Sequence, residues 1–206
     1  MDNLDFVHRF VPGKTPDSRV FLLLHGTGGD QSDLLPLGRD LDPDAALLSP
    51  RGKVSENGSP RFFRRFAEGV FDEEDVVRRA NELADFVASA ASEYRFDPAG
   101  VTAVGYSNGA NIAAAILLLR PEMFGGAILF RAMVPLSLPP PTANLNGKPV
   151  LLSAGASDPI VPCENAERLS GLLKDRGAAV TFRLQPAGHG LVAEDLAAAT
   201  VWLESR

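Results

Sequence analysis

The sequence contains a single cysteine, Cys163, among its 206 residues. One cysteine excludes a disulfide framework within the chain and a cysteine-rich metal site, and such scarcity fits a reducing compartment. Basic residues are also in deficit, because 20 Lys and Arg stand against 26 Asp and Glu for a net charge of −6. This balance argues against a nucleic-acid or anionic-membrane partner and favours a small-molecule partner.

Long hydrophobic runs are missing as well. The longest apolar stretch, IAAAILLL, is far too short to span a bilayer. The N-terminal segment MDNLDFVHRFVPG is acidic and has no basic region followed by an apolar one, so we expect no signal peptide and a cytoplasmic protein. With 45% hydrophobic and 22% charged residues, the chain fits one globular domain over residues 1–206.

Short apolar runs alternate with helical patterns along the chain. Runs such as Arg19–His25 and Val101–Tyr106 are apolar on both faces, which is typical of strands covered by helices on both sides. The clearest helix is Asp72–Tyr94, where apolar residues recur at i, i+3, i+4 and i+7 behind an acidic first turn. This alternation predicts an α/β fold with a mainly parallel, twisted sheet and helices on both faces.

The remaining elements are predicted from the same patterns. The other predicted strands are Ala45–Pro50, Gly126–Phe130, Pro149–Gly155 and Ala179–Leu184, with Asp5–Val11 as an edge strand. The other predicted helices are Asp33–Leu41, Asn108–Leu119, Cys163–Arg176 and Leu191–Leu203. The longest segment without clear periodicity, Arg51–Phe71, is the kind of long loop that often carries function in compact α/β domains.

Ser107 lies between two glycines in VTAVGYSNGANIAA, where an apolar strand gives way to a helical pattern. This is the context of a nucleophile elbow, a tight strand-to-helix turn that exposes a serine hydroxyl. Side chains at Gly105 and Gly109 would collide there with the neighbouring strand and helix. The alternative interpretation is a serine that caps the helix between two convenient glycines.

A serine nucleophile needs a histidine base and a carboxylate that orients the base. The chain has only three histidines, and His189 lies in the glycine-flanked loop PAGHGL after an apolar run. Asp158 follows another apolar run in the same way. Because ligands bind at the carboxyl ends of parallel strands, both side chains should face one crevice. The order Ser107, Asp158, His189 is that of the α/β-hydrolase triad.

A glycine-rich segment, LLLHGTGGD, follows the first long apolar run. Its position predicts an oxyanion hole, in which the backbone N–H groups of Thr27 and Asn108 stabilise the charge on the attacked carbonyl. His25 should then shape this loop, although the segment also fits a simple strand-ending turn. The rival acids Glu194 and Asp195 follow the candidate base in a predicted helix, which breaks the triad order.

The segments LLLHGTGGD, GYSNGANIAA, GASDPIVP and AGHGL, in this order and spacing, resemble the phospholipase/carboxylesterase family of α/β-hydrolases, relatives of the acyl-protein thioesterases. The resemblance covers about Val20 to the C-terminus, and SPRGKVSENGSPRFFRR with FDEEDVVRR is similar to a bacterial carboxylesterase branch. It implies a compact fold without a large cap domain, and Ser107, Asp158 and His189 as the triad. The thioesterase-like pattern has a large apolar residue where this chain has Thr27, and this departure argues against a long-chain acyl substrate.

The substrate-binding prediction centres on Arg51–Phe71, which should cross the top of the sheet. Phe62 and Phe63 would wall a pocket there, while Arg64 or Arg65 faces an anionic group of the substrate. The alternative is that the aromatic rings pack the loop down and the arginines are solvated.

Other side chains have two interpretations each. Met133 and Leu138 would line the acyl side of the pocket, or belong to the core. Cys163 begins a predicted helix, where its thiol pKa could fall and make it redox-sensitive, or it is a small buried apolar residue. Arg131 follows an apolar run, where its charge needs an acidic partner, and its role is structural or, alternatively, catalytic. The partners considered for it are Glu56, Glu68 and Asp72.

Together these features predict a serine hydrolase that cleaves carboxylic esters of small substrates through an acyl-enzyme, with no metal and no organic cofactor. The alternatives within enzymes are an acyl-thioesterase or a lysophospholipase. The alternative from another class is a catalytically silent α/β-hydrolase-fold binding protein. We expect a small-molecule ester as partner, and an exposed edge strand or apolar helix face would support a homodimer.

Overall fold

A computed structural model describes residues 4–140 and 143–206, which are built around a seven-stranded sheet. The strands are β1 (His8–Val11), β2 (Val20–Leu24), β3 (Ala46–Pro50), β4 (Val54–Glu56), β5 (Ser59–Arg61), β6 (Arg65–Ala67), β7 (Val70–Phe71), β8 (Val101–Tyr106), β9 (Gly126–Phe130), β10 (Pro149–Gly155) and β11 (Ala179–Gln185). The helices are α1 (Leu35–Leu41), α2 (Glu73–Tyr94), α3 (Asn108–Leu119), α4 (Cys163–Lys174) and α5 (Ala193–Glu204).

The main sheet has the strand order β1-β3-β2-β8-β9-β10-β11. Strand β1 pairs antiparallel with β3, and the other neighbours pair in parallel. The order reverses between β2 and β8, because the chain first moves outward from β2 to β3 and later returns on the other side. Ligands of open parallel sheets bind at the carboxyl ends of the strands beside such a reversal, so this fold places the loops after β2 and β8 at the site.

Successive residues of each central strand enter two different hydrophobic cores. In β2, Leu22 and Leu24 belong to the larger core, which α2, α3 and α4 cover. Phe21 and Leu23 belong to the second core, which α1 and α5 cover on the opposite face. The alternation follows from the two-residue repeat of a strand. The predicted parallel sheet with helices on both faces is therefore confirmed.

Helix α3 is buried around almost its whole circumference, since every residue from Asn108 to Leu118 is buried. This position accounts for the apolar run IAAAILLL. In the part of the chain that the structure describes, no helix is both long and apolar enough to cross a membrane.

The predicted bounds of the main strands and helices agree with the structure within two residues, except for the edge strand, which begins at His8 instead of Asp5. The segment Arg51–Phe71 differs more, because it contains the hairpins β4–β5 and β6–β7. Their strands of two or three residues are too short to show a periodic pattern. The single domain predicted for residues 1–206 includes residues 1–3 and 141–142, which lie outside the described residues.

Candidate active site

Ser107 lies in a strained turn between β8 and α3. Its backbone has φ 52° and ψ −116°, a region that residues with side chains rarely adopt. A Cβ atom at Gly105 would lie 2.6 Å from the Cα atom of Ala110, and one at Gly109 would overlap the carbonyl oxygen of Leu24. The predicted collisions are confirmed, so both glycines are needed for the strand and helix to approach so closely.

The Ser107 side chain makes no capping hydrogen bond to α3. Instead, its Oγ lies 3.0 Å from Nε2 of His189, and Nδ1 of His189 lies 2.8 Å from Oδ2 of Asp158. When Nδ1 carries the proton and donates to the carboxylate, Nε2 is left to accept the serine proton. The structure thus brings the three predicted residues into one line of hydrogen bonds.

Asp158 is fixed by its own loop. Its Oδ1 accepts the N–H of Ile160 at 2.8 Å and the N–H of Val161 at 3.0 Å, and its side chain is fully buried. One carboxylate oxygen is therefore held by the backbone while the other faces the histidine. This arrangement fixes the orientation of the acid before any substrate binds.

Asp195, the rival acid, has a different partner. Nη1 and Nη2 of Arg131 lie 2.9 and 2.6 Å from its two carboxylate oxygens, and both side chains are almost completely buried. The predicted partners Glu56, Glu68 and Asp72 are therefore wrong for Arg131. The reason lies in the turn after β9, where Arg131 itself has a φ of 56°. Its guanidinium lies between the loop after β11 and the first turn of α5.

The predicted oxyanion donors lie beside the serine. Thr27 and Asn108 line the same cavity as Ser107. Their side chains are occupied elsewhere, because Asn108 Oδ1 accepts the N–H of Phe62 at 2.7 Å and the Thr27 hydroxyl accepts from Nη1 of Arg61 at 2.6 Å. The backbone N–H groups of Thr27 and Asn108 stay the predicted donors.

His25 shapes the loop after β2. Its Nδ1 donates to the carbonyl oxygen of Gly26 at 2.7 Å, and its Nε2 accepts the N–H of Gly52 at 2.9 Å. Burial lowers the pKa of the His25 imidazole below its ordinary value, although the hydrogen bond to Gly26 opposes this effect. A neutral ring satisfies both hydrogen bonds and ties the glycine-rich loop to the segment after β3, as the sequence predicts.

Two adjoining cavities open beside Ser107. One holds about 270 Å³ of empty space, part of which is open solvent at its mouth. The other has about 570 Å³. Both are lined by Thr27, Arg65, Glu68, Ser107 and Ile160; the first is completed by Arg61, Phe71, Asn108, Asn111, Arg131, Met133 and Val161, and the second by Tyr106 and His189.

Phe62 and Phe63 are core residues and not part of the lining of either cavity. The ring of Phe62 lies 4.7 Å from that of His25, and the ring of Phe63 meets Phe71 edge-on at 5.1 Å. The prediction that they wall a substrate pocket is corrected. Their burial instead packs the segment that crosses the sheet onto the core.

Arg64 lines neither cavity, and its side chain is 60% exposed with Nη2 2.7 Å from Oδ2 of Asp72. Its neighbour Arg65, the predicted alternative, lines both cavities because adjacent residues of an extended segment point to opposite sides. Nε of Arg65 lies 3.0 Å from Glu56, and its Nη1 pairs with Glu68. The hydrogen bond from Arg65 lowers the pKa of Glu56. Arg65 is therefore already paired with two carboxylates.

The structure also places the three other side chains for which the sequence offers two interpretations. Met133 lines the smaller cavity, and its contact with a substrate stays a prediction. Leu138 is 91% exposed, so its predicted place in the core or on the acyl side is wrong. Slight burial and the nearby carboxylate of Glu167 raise the pKa of the Cys163 thiol, the opposite of the predicted lowering.

Sequence reasoning missed several residues that organise the site. The hydroxyl of Tyr106 donates to the carbonyl oxygen of His189 at 3.1 Å, and Asn111 Oδ1 accepts the N–H of Met133 at 2.7 Å. Asn111 follows Asn108 by three residues on one helix face, and this spacing could have identified it. Among residues 4–140 and 143–206, no cluster of three or more His, Cys, Asp or Glu side chains could hold a metal ion.

A parallel sheet covered on both faces, with a strained serine between β8 and α3 and an acid and a histidine after later strands, defines an α/β-hydrolase. Comparison with known proteins agrees with this class. Residues 54–201 match the model of the dienelactone hydrolase family, and the chain belongs to that family.

Relatives of known name and structure are similar over nearly the whole chain. The putative hydrolase MhqD of Bacillus subtilis is 48% identical over 192 residues, which are 92% of this chain and 94% of that protein. The Bacillus cereus carboxylesterase is 46% identical with a TM-score of 0.95, covering 98% of this chain and 95% of its own. A carboxylesterase from Mesorhizobium loti is 31% identical with a TM-score of 0.93, over 100% and 98%. The resemblance to carboxylesterases is confirmed, and the chain is a hydrolase of the carboxylesterase type.

Proposed function

We propose that this hydrolase cleaves carboxylic esters of small substrates through an acyl-enzyme, with Ser107, Asp158 and His189 as its catalytic triad. The observation that carries the proposal is the line of hydrogen bonds, 3.0 Å and 2.8 Å long, that joins the serine hydroxyl to the buried carboxylate through the imidazole.

In the first half-reaction, His189 Nε2 accepts the proton of Ser107 as its Oγ attacks the ester carbonyl. The carboxylate of Asp158 stabilises the imidazolium that forms. The backbone N–H groups of Thr27 and Asn108 bind the oxyanion, a contact that is stronger in the transition state than in the bound ester. The imidazolium then protonates the departing alcohol.

In the second half-reaction, water attacks the acyl group on Ser107. His189 again accepts a proton, now from the water, and returns it to the serine oxygen as the acid leaves. Both half-reactions use the same oxyanion donors. His189 therefore carries every proton transfer of the cycle, and the two backbone amides stabilise the oxyanion in each half-reaction.

The smaller cavity is the proposed acyl site. Met133, Phe71 and Val161 give it apolar surface, and its empty space, open mouth included, is less than half that of the second cavity, so it suits a short acyl group better than a long one. Arg65 and Glu68 border its mouth as an ion pair, which is a poor surface for a long hydrocarbon chain.

The first prediction concerns Ser107→Ala. This variant should lose hydrolysis of p-nitrophenyl acetate by a factor of at least about 10⁴, because the proposed acyl-enzyme forms on the Ser107 hydroxyl. Its circular dichroism should match that of the parent. The matched control is Ser205→Ala, an exposed serine at the end of α5, which should keep full activity. Retained hydrolysis in folded Ser107→Ala would contradict the proposal.

A chain-length series separates this proposal from a thioesterase or a lysophospholipase. The kcat/KM for p-nitrophenyl esters and acyl-thioesters should fall beyond short acyl groups, because the smaller cavity is filled. A preference for long chains would contradict the small acyl site but not the triad.

A further inference from the structure

Arg131 is a fully buried cation that takes no part in the proposed proton transfers. It follows β9 directly, and its φ of 56° is unusual for a residue with a long side chain. Burying a guanidinium is unfavourable unless hydrogen bonds and a counter-charge compensate for the lost water. The partners that compensate for it therefore indicate what the residue does.

The guanidinium contacts the loop that carries His189 on both sides of the histidine. Nε donates to the carbonyl oxygen of Gly188 at 3.0 Å, and Nη2 donates to the carbonyl oxygen of Gly190 at 2.9 Å. Glycines have no side chains that could anchor this loop, and their backbones have wide conformational freedom. The planar fork of Arg131 thus fixes the backbone immediately before and after the imidazole.

Asp195 holds the guanidinium in that orientation. Beyond its two contacts with Arg131, its Oδ1 accepts the hydroxyl of Ser153 at 2.6 Å and its Oδ2 accepts the N–H of Val192 at 2.9 Å. An ion pair that merely joined β9 to α5 would need only the contact between Arg131 and Asp195. Nη1 also donates to the carbonyl oxygen of Ser153 in β10 at 3.3 Å, a contact that serves packing alone. The two shorter bonds to the glycine carbonyls are additional, and both lie next to His189.

We propose that Arg131, oriented by Asp195, is a positioning residue that sets the place of the His189 imidazole between Ser107 and Asp158. This inference rests on the proposed triad, because it assigns Arg131 a task only if His189 is the base. The residue acts through the loop backbone and does not exchange a proton.

The test is Arg131→Lys, which keeps the charge but offers one ammonium that cannot bridge both carbonyls as the guanidinium does. For a short p-nitrophenyl ester, kcat per titrated active site should fall by roughly 10- to 100-fold, since small misplacements of catalytic groups have effects of about this size. KM should change little. The matched control is Arg176→Lys, an arginine that binds the backbone carbonyls of Leu172 and Pro139 away from the site and should leave kcat unchanged.

A second measurement does not depend on turnover. The NMR signal of the His189 Nδ1 proton, assigned with His189→Gln, should shift or broaden in Arg131→Lys and stay unchanged in Arg176→Lys. If Arg131→Lys does not fold, the double variant Arg131→Met with Asp195→Leu removes both buried charges together and serves in its place.

A wild-type kcat with an unchanged His189 signal in the folded variant would overturn the inference. So would a fall in kcat that only matches the fraction of unfolded protein. If Ser107→Ala hydrolyses the ester as the parent does, the proposed function is contradicted instead. The NMR comparison would then still show whether Arg131 sets the position of the His189 ring.

Discussion

The side chains of α3 that follow Ser107 anchor the loops that border the smaller cavity. Asn108 accepts the N–H of Phe62 and Asn111 accepts the N–H of Met133, at 2.7 Å in both cases. A buried N–H without a partner is destabilising by about 1–3 kcal/mol, so each asparagine holds its loop firmly. The helix that presents the serine therefore also fixes the walls around it.

The free energy of unfolding should vary with pH because of His25. Burial lowers its pKa in the folded protein, so below about pH 6.5 the unfolded chain binds a proton that the folded protein does not. The stability that depends on neutral His25 is therefore fully present above that pH. It is lost as the pH falls, by at most about 1.4 kcal/mol per pH unit for this one group. Urea denaturation at pH 7.5 and 5.5 should show a smaller loss of stability for His25→Gln than for the parent. An equal loss in both would refute the assignment.

What the sequence could predict also differs by residue. Ser107, Asp158 and His189 could be assigned because each has an unusual position relative to an apolar run. The partner of Arg131 could not, because Asp195 lies 64 residues away and meets it only through the packing of α5. The sequence does not distinguish the core positions of Phe62 and Phe63 from positions in a pocket, because aromatic residues that line a pocket and those that pack a core have the same sequence pattern.

At the scale of elements, the close contact of β2, β8 and α3 depends on Gly109. Gly109→Ala should lower the free energy of unfolding by about 1–3 kcal/mol, because its Cβ would overlap the Leu24 carbonyl. Gly171→Ala is the matched control inside α4, because a Cβ atom there meets nothing within 4 Å. This substitution should stabilise the protein by about 0.5–1 kcal/mol. Urea denaturation measures both, and equal effects would contradict the account of the elbow.

The elements themselves were predictable where burial on both faces imposed a pattern. The strands β8, β9 and β10 match the predicted bounds because both of their faces enter a core. The hairpins β4–β5 and β6–β7 were not predictable, because strands of two or three residues are held by their pairing and not by an apolar repeat.

In the whole molecule, the two larger hydrophobic cores use alternate residues of the same strands, so we expect them to unfold together. We therefore predict one cooperative transition. Trp202, the single tryptophan, lies in the second core and reports on that face of the sheet. Its fluorescence and the far-UV circular dichroism should give the same urea midpoint. Two separate midpoints would contradict the proposal of a single domain.

Every step of the proposed reaction requires that Ser107 is a nucleophile activated by His189. The most direct test is labelling of the folded protein with a fluorophosphonate, followed by mass spectrometry of the peptides. The account predicts one phosphonyl group per chain, on the peptide that carries Ser107. It also predicts labelling slowed by roughly 10²-fold or more in His189→Gln, because the general base is lost. Labelling at another residue, or none in the folded protein, would contradict the account.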